Sequence, residues 1–268
     1  RPITQTSQAL AGLTSGVTVS QSSGRPGGDQ ASIRIRGVGT FSGAGSDPLV
    51  LIDGLSASIN DVDPNNIANI SILKDAASSA IYGTRAANGV ILIETKRGKK
   101  GVTQVAYNGY VGWQKATELP DFLDSWDYAI MRNEADKNSG LSATYDQNDI
   151  DKFRNGSDPD NYPNVNHLKD LVTSGSGFQT GHNVTLSNGG EKLSYFFSLG
   201  YLHQEGIVEQ NDYSKYNFQL NIDNQILSNL LLKANLSGYA STTNGRWRHE
   251  SYDWYVCPRE CNYSRQKE

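Results

Sequence analysis

From Gln104 onward apolar and polar residues take turns at every second position. Val105, Tyr107, Val111 and Trp113 share one parity, and Gln104, Asn108 and Gly112 hold the other. The pattern returns in Leu193, Tyr195, Phe197, Leu199 and Tyr201 against Lys192, Ser194, Ser198 and Gly200. It returns again in Tyr216, Phe218, Leu220 and Ile222 against Asn217, Gln219, Asn221 and Asp223. Leu232, Ala234 and Leu236 oppose Lys233, Asn235 and Ser237, and Val184 with Leu186 marks a further strand. The pattern predicts about five strands of about ten residues, each with an apolar and a strongly polar face, as in a transmembrane barrel.

Before about Gly98 short strands and short helices are interleaved. Ser7 to Leu13 reads as a brief helix and Val17-Thr18-Val19 as a strand. Ser32-Ile33-Arg34-Ile35-Arg36 puts isoleucines on one face and arginines on the other. Pro48 to Ile52 is a continuous apolar run, expected of a strand covered on both faces, and Asp53-Gly54 is a turn signal. Asp63-Pro64 opens a short helix expected to reach about Asn69, with Asp as N-cap and Pro at the first helical position. Ile70 to Leu73 is a strand, Asp75 caps a helix from Ala76 to Tyr82 stopped by Gly83, and Val90 to Thr95 is a last buried strand. The basic turn Lys96 to Lys100 closes this α+β domain.

Connection lengths separate the remaining fold classes. Ser187 to Glu191 and Leu227 to Asn229 are tight turns, whereas about Leu202 to Ser214 is longer and about Gln114 to Phe178 longer still. Alternating short and long connections match outer-membrane barrels, with short periplasmic turns and long external loops. A soluble antiparallel sandwich alternates in the same way but with less length asymmetry. With the first domain on the periplasmic side, the 114–178 segment is external. It contains an expected amphipathic helix around Ser125 to Asn138, with Trp126, Ala129 and Ile130 on one face.

Composition narrows the functional classes. The charges nearly balance, 24 basic against 28 acidic, which gives no reason to expect a nucleic-acid partner. No segment approaches the roughly 18 consecutive apolar residues of a membrane helix, a test that does not bear on β-barrels. The chain starts at Arg1 without a leader, so a signal peptide is expected to be removed or upstream. Cys257 and Cys261 lack the spacing of a zinc finger, and no metal or cofactor is expected. The glycines at 37, 39, 43 and 45 do not lead into a helix that would present amides to a phosphate. Asp121, Asp124, Asp127 and Glu134 read as a solvated surface, and no nucleophile–base spacing is present, so no enzyme is expected.

Several stretches resemble the plug of TonB-dependent receptors: Ala9 to Leu13 leading to Gly16-Val17-Thr18-Val19, Ser32 to Gly37, Pro48 to Gly54, and Ile70 to Ala76. The most specific is Ala80-Ile81-Tyr82-Gly83-Thr84-Arg85-Ala86-Ala87-Asn88-Gly89-Val90-Ile91, followed by Thr95-Lys96-Arg97-Gly98. Its spelling is similar to the SusC/RagA branch of Bacteroidetes, as are Asn108 to Gln114 and Gln204 to Val208. The resemblance covers about residues 3 to 244. It implies an α+β plug (residues 1–98) inside a transmembrane β-barrel of roughly twenty-two strands, of which residues 99–244 supply the first. It further implies energisation by TonB through an upstream segment absent here, a SusD-like surface lipoprotein as partner, and oligosaccharide (glycan) or peptide substrates.

Arg34, Arg36, Arg85 and Arg97 are candidates for pairing with carboxylates of the barrel wall, or simply for hydrating a soluble-like plug. Asp53, Gly54, Tyr82, Gly83, Asn88 and Gly89 are expected to be structural members of the plug motif. Thr40, Phe41 and Ser42 belong to a loop that either faces substrate or is a plain connector. Tyr107, Trp113, Tyr195 and Tyr201 suit interfacial girdles facing outer-membrane lipid or, equally, a sandwich core. From Gly245 the alternation stops, and residues 245–268 hold both cysteines and two of the four tryptophans. That tail is expected to be either a frameshifted end or an external loop. Five strands do not close a barrel, so transport is not expected of this segment alone. The competing reading is a surface glycan-binding β-rich module without transport.

Overall fold

The computed structural model describes residues 4–12, 15–37, 46–75, 80–99, 101–245, 248–258 and 262–265, the last two segments as backbone only. Two compact units emerge, one of residues 1–114, 177–206 and 210–268, the other of 115–176 and 207–209.

The first unit begins with the plug. Helix α1 (Thr6–Ala9) is shorter than the expected Ser7 to Leu13. Strands β1 (Val17–Gln21) and β2 (Ala31–Ile35) form an antiparallel pair. A second sheet has the order β4-β3-β6-β5, with β3 at Leu49–Ile52, β4 at Leu55–Ser56, β5 at Ile67–Leu73 and β6 at Val90–Thr95. The apolar runs of β3 and β6 lie parallel, as expected of strands buried on both faces. Ile52, Ile91 and Ile93 are essentially inaccessible in the resulting core, each worth about 1.5–3 kcal/mol of burial. Asp53 (φ 50°) and Gly54 (φ 90°) make the tight turn from β3 into β4, both left-handed as that hairpin requires.

One helix departs from expectation, and the next keeps its expected stop. Asp63 does cap, its carboxylate accepting the Asn65 amide at 2.7 Å. The helix it opens is a single 3-10 turn, Pro64–Asn66, because the β-branched stretch from Ile67 pairs with β6 instead. Gly83 does stop the next helix as expected: its backbone (φ 70°, ψ −159°) is non-helical and separates two short 3-10 stretches within Ala80–Ala86. The earlier turn expected at residues 76–79 lies outside the described residues.

The wall is an antiparallel meander of consecutive strands: β7 (Gly101–Trp113), β8 (Phe178–Gly189), β9 (Leu193–Glu205), β10 (Asp212–Leu227) and β11 (Leu230–Gly245). These are the five expected strands, but they run to 12–16 residues. That exceeds the 9–11 residues a bilayer needs, so their ends project beyond it. The connection expected over Leu202 to Ser214 shrinks accordingly to residues 206–211, still longer than the turns at 190–192 and 228–229. Backbone strands β12 (Arg248–Pro258) and β13 (Asn262–Arg265) lie along one edge of β11. The sheet is not closed among the described residues.

The second unit holds three helices: α2 (Ser125–Asn138), α3 (Gln147–Asn155) and α4 (His167–Val172). The first matches its expected span, with Ala129 fully buried but Ile130 exposed. The second was written in the chain as a capping box, Asp146 with Asp149, closed by Gly156 in the left-handed conformation. Tyr145, Phe153 and Tyr162 pack edge to face beside it. The Tyr162 hydroxyl donates to Asp149 at 2.8 Å. That carboxylate, with some burial and its negative charge, pushes the phenol upward from 10.0.

Candidate functional site: the plug–wall interface

The burial of the wall is reversed relative to a water-soluble sheet. On the apolar parity Leu199 is 50% exposed and Tyr216 60%, while Ser198, Asn183, Gln219 and Asn221 on the polar parity are 0–2% exposed. Polar residues form the inside here because the plug packs against them, and the bare face is the one that water disfavours. That arrangement is stable only where a non-aqueous solvent covers the outer face.

The outer face also carries a continuous aromatic band. The Tyr107 hydroxyl lies 2.6 Å from His182 Nδ1, the His182 ring stacks on Tyr201 at 6.4 Å, and Tyr201 meets Tyr216 at 4.8 Å. Trp113 and Phe178 pair edge to face at 5.7 Å at the outer ends of β7 and β8. Tyr195 sits on the same face near the opposite, turn end of β9. These rings have the amphipathic character of residues held at a membrane–water boundary.

On the inner face, β10 bonds the plug at successive levels. Lys215 Nζ donates to the Asn60 carbonyl at 3.0 Å and lies over the Tyr239 ring. Asn217 Nδ2 donates to Asp63 Oδ2 at 2.8 Å. Asn221 Nδ2 reaches Thr95 Oγ1 at 2.9 Å and the Lys96 carbonyl at 2.7 Å. Arg97 NH1 donates to Asp223 Oδ1 at 2.6 Å, and its NH2 reaches the Asn235 amide oxygen at 3.2 Å once that amide is turned. Gly27 permits a further contact, since a Cβ there would fall 2.5 Å from the Tyr213 ring.

The candidate residues distribute unevenly around this interface. Of the four arginines, Arg97 reaches the wall. Arg36 instead pairs with Asp75 inside the plug at 2.5 Å, with both side chains largely exposed. Arg34 is half-buried on β2, and the exposed Arg85 lines a cavity of about 640 Å³ together with Ser32, Pro48, Ser58 and Asn60. Asp53 accepts from the Thr95 amide and hydroxyl, so it supports the Asn221 contact from behind. Asn88 Nδ2 reaches the Asp47 carbonyl at 3.4 Å. Tyr82 packs on the Leu51, Ala86 and Val90 cluster. Gly89 (φ 89°) lies where a Cβ would be 2.8 Å from Ile35. Thr40, Phe41 and Ser42 lie outside the described residues.

Asn60 carries no signal in the sequence, and Asp63, Thr95 and the β10 residues that meet them stand out there only as an N-cap, a motif member and a polar parity, not as plug–wall contacts. The polar parity of β10 was legible, but the loop that meets it was not.

Comparison with known proteins agrees with this geometry. The family model of the TonB-dependent receptor plug domain matches residues 1–90. TonB-dependent receptor P26 of Formosa agariphila is 36% identical over 229 residues, covering 83% of this chain and 22% of that protein. TonB-dependent receptor SusC of Bacteroides thetaiotaomicron is 34% identical over 235 residues, covering 82% of this chain and 21% of that one. The chain thus spans about a fifth of the length of these curated relatives. The solved structure of the RagAB peptide transporter superposes with a TM-score of 0.74 at 26% identity, covering 91% of this chain and 30% of that one. The chain belongs to the SusC/RagA-type TonB-dependent receptors of the outer membrane, and carries their plug together with strands of the barrel wall.

Proposed function

We propose that this chain is the plug-bearing part of an outer-membrane importer that takes up oligosaccharides or peptides. The plug blocks the lumen until TonB, engaged through a segment upstream, displaces it, and a SusD-like lipoprotein covers the external mouth. The observation that carries this reading is the reversed burial of the wall, with Leu199 and Tyr216 bare, Gln219 and Asn221 buried, and Asn221 bonded to the plug. The resemblance to SusC supports the receptor class, and that to RagAB, described as a peptide transporter, supports peptides among the substrates. Fractionating cells that express the full-length receptor tests the placement, and uptake of labelled oligosaccharides and peptides with and without a protonophore tests the activity. Recovery from the outer membrane with energy-dependent uptake is expected. Recovery from the soluble periplasm, or uptake indifferent to the protonophore, overturns the reading.

A further inference from the structure

We infer that the outer face of the wall holds one particular lipid, an acylated sugar lipid of the outer leaflet, with an acyl chain seated in a groove across β8–β11. The inference needs the outer-membrane placement, which the family and the reversed burial give, and not the transport activity.

The groove has a volume of about 480 Å³ and lies within the sheet, with β7 beyond one side and β12 beyond the other. Val184, Leu199 and Phe218 line it at one level of the strands. Tyr201, Tyr216 and Ala240 line it at the next, roughly 7 Å further along. Ala240 stands opposite Tyr216, so the row of rings stops there and leaves a depression.

The surroundings decide what fills it. Water finds no partners on an apolar lining, and an empty depression forfeits the dispersion contacts of its walls. Hydrocarbon of the adjoining leaflet therefore enters. A chain gains packing there but no burial, since it was already out of water. Holding one lipid rather than exchanging many thus falls to the head group.

The strand ends identify the leaflet. Tyr201 and Tyr216 lie nearer the Glu205 and Asp212 ends of β9 and β10 than the ends at the tight turns. Tight turns are periplasmic in such barrels, so the groove opens into the outer leaflet. One level further out the face becomes polar, with Thr180, His203 and Ser214 as cross-strand neighbours. His203 Nδ1 lies 2.9 Å from Ser214 Oγ, and His182 Nε2 lies 3.1 Å from Thr180 Oγ1. Each hydroxyl oxygen keeps a lone pair for a further bond. Hydroxyls and imidazoles spread over three strands both donate and accept, which suits a head group built of sugars.

The test purifies the full-length receptor from outer membranes in mild detergent and identifies the lipid that stays bound by native mass spectrometry. Ala240→Phe fills the groove, and the smaller Ala240→Leu is carried in parallel. Ala234→Phe puts the same ring on the same strand and face, outside the groove. The unaltered receptor and Ala234→Phe are expected to retain an acylated sugar lipid, and both Ala240 variants several-fold less of it. Lipopolysaccharide purified from the same cells and added back should restore occupancy in the first pair only. Ser214→Ala leaves the groove intact but removes a head-group contact, so it too should lower retention. A diacyl phospholipid in the groove instead, equal retention by all variants, or a receptor dimer that Ala240→Phe dissociates overturns the inference, as does full retention by Ser214→Ala. Failure of the membrane placement is seen separately, as loss of recovery from the outer membrane.

Discussion

The Asp53 carboxylate holds Thr95 twice, accepting the backbone amide at 2.9 Å and the hydroxyl at 2.6 Å. The same hydroxyl oxygen then accepts from Asn221 of the wall. A turn residue of the plug therefore orients the group through which the last plug strand meets β10.

Asp53→Ala is expected to cost about 1.5–3 kcal/mol, because it removes an ionised acceptor and strands two donors on Thr95. Asp53→Asn keeps one acceptor oxygen and should lose less. Protease protection of the plug in the assembled receptor, compared across both variants, checks the order.

Two glycines with positive φ should respond differently to alanine. Gly83 (φ 70°, ψ −159°) has open space around it, so Gly83→Ala costs only its backbone conformation, about 1–3 kcal/mol. Gly89→Ala adds a collision with Ile35 and the Leu73 carbonyl and should be markedly worse. Thermal unfolding of the purified receptor ranks the two. Equal losses would mean that the packing around Gly89 relaxes freely.

Arg97 and Asp223 are 31% and 20% exposed, so solvent screens their pair. A double-mutant cycle with Arg97→Ala and Asp223→Ala should give a coupling on the order of 1 kcal/mol, shrinking with added salt. A coupling unaffected by salt would contradict a solvent-screened pair.

Leu199→Arg puts a charge on the bare face of β9 and is expected to cost about 2–4 kcal/mol if the site lies near the bilayer midplane. Assembly in the outer membrane, read by heat-modifiable migration, should fall sharply. Lys233→Ala, on the opposite parity, should leave assembly intact. Full assembly of the Leu199→Arg receptor would remove the case for lipid on that face.

Tyr162 donates to Asp149, so its phenol should ionise at higher pH than an ordinary tyrosine. The raised folded value means the contribution is complete below 10.0 and is lost as pH rises through the folded value. Asp149→Asn should move the ultraviolet titration of this phenol downward. No movement would show that the hydrogen bond does not govern it.

The plug strands, the Asp53-Gly54 turn and the wall strands were legible because each is a local signal: an apolar run, a turn dipeptide, a two-residue period. Helices were less legible. The helix at Pro64 lost to pairing of Ile67–Leu73 with β6, and α3 was overlooked although its capping box stands in the sequence. The arginine pairing divided in the same way. An arginine announces that it needs a partner but not which one: Arg36 found Asp75 in the plug and Arg97 found Asp223, 126 residues away.

Period, turn chemistry and the long plug motif determined, from sequence alone, that a small α+β domain precedes strands with one apolar and one polar face. Which face is inside was decided only in three dimensions. Parity separates the faces but carries no sign, and the sign came from the plug bonding Lys215, Asn217 and Asn221. The bonds between the plug and β10 were likewise decided by tertiary structure. They depend on which loop of the plug meets which strand, a long-range relation that no local pattern of residues encodes.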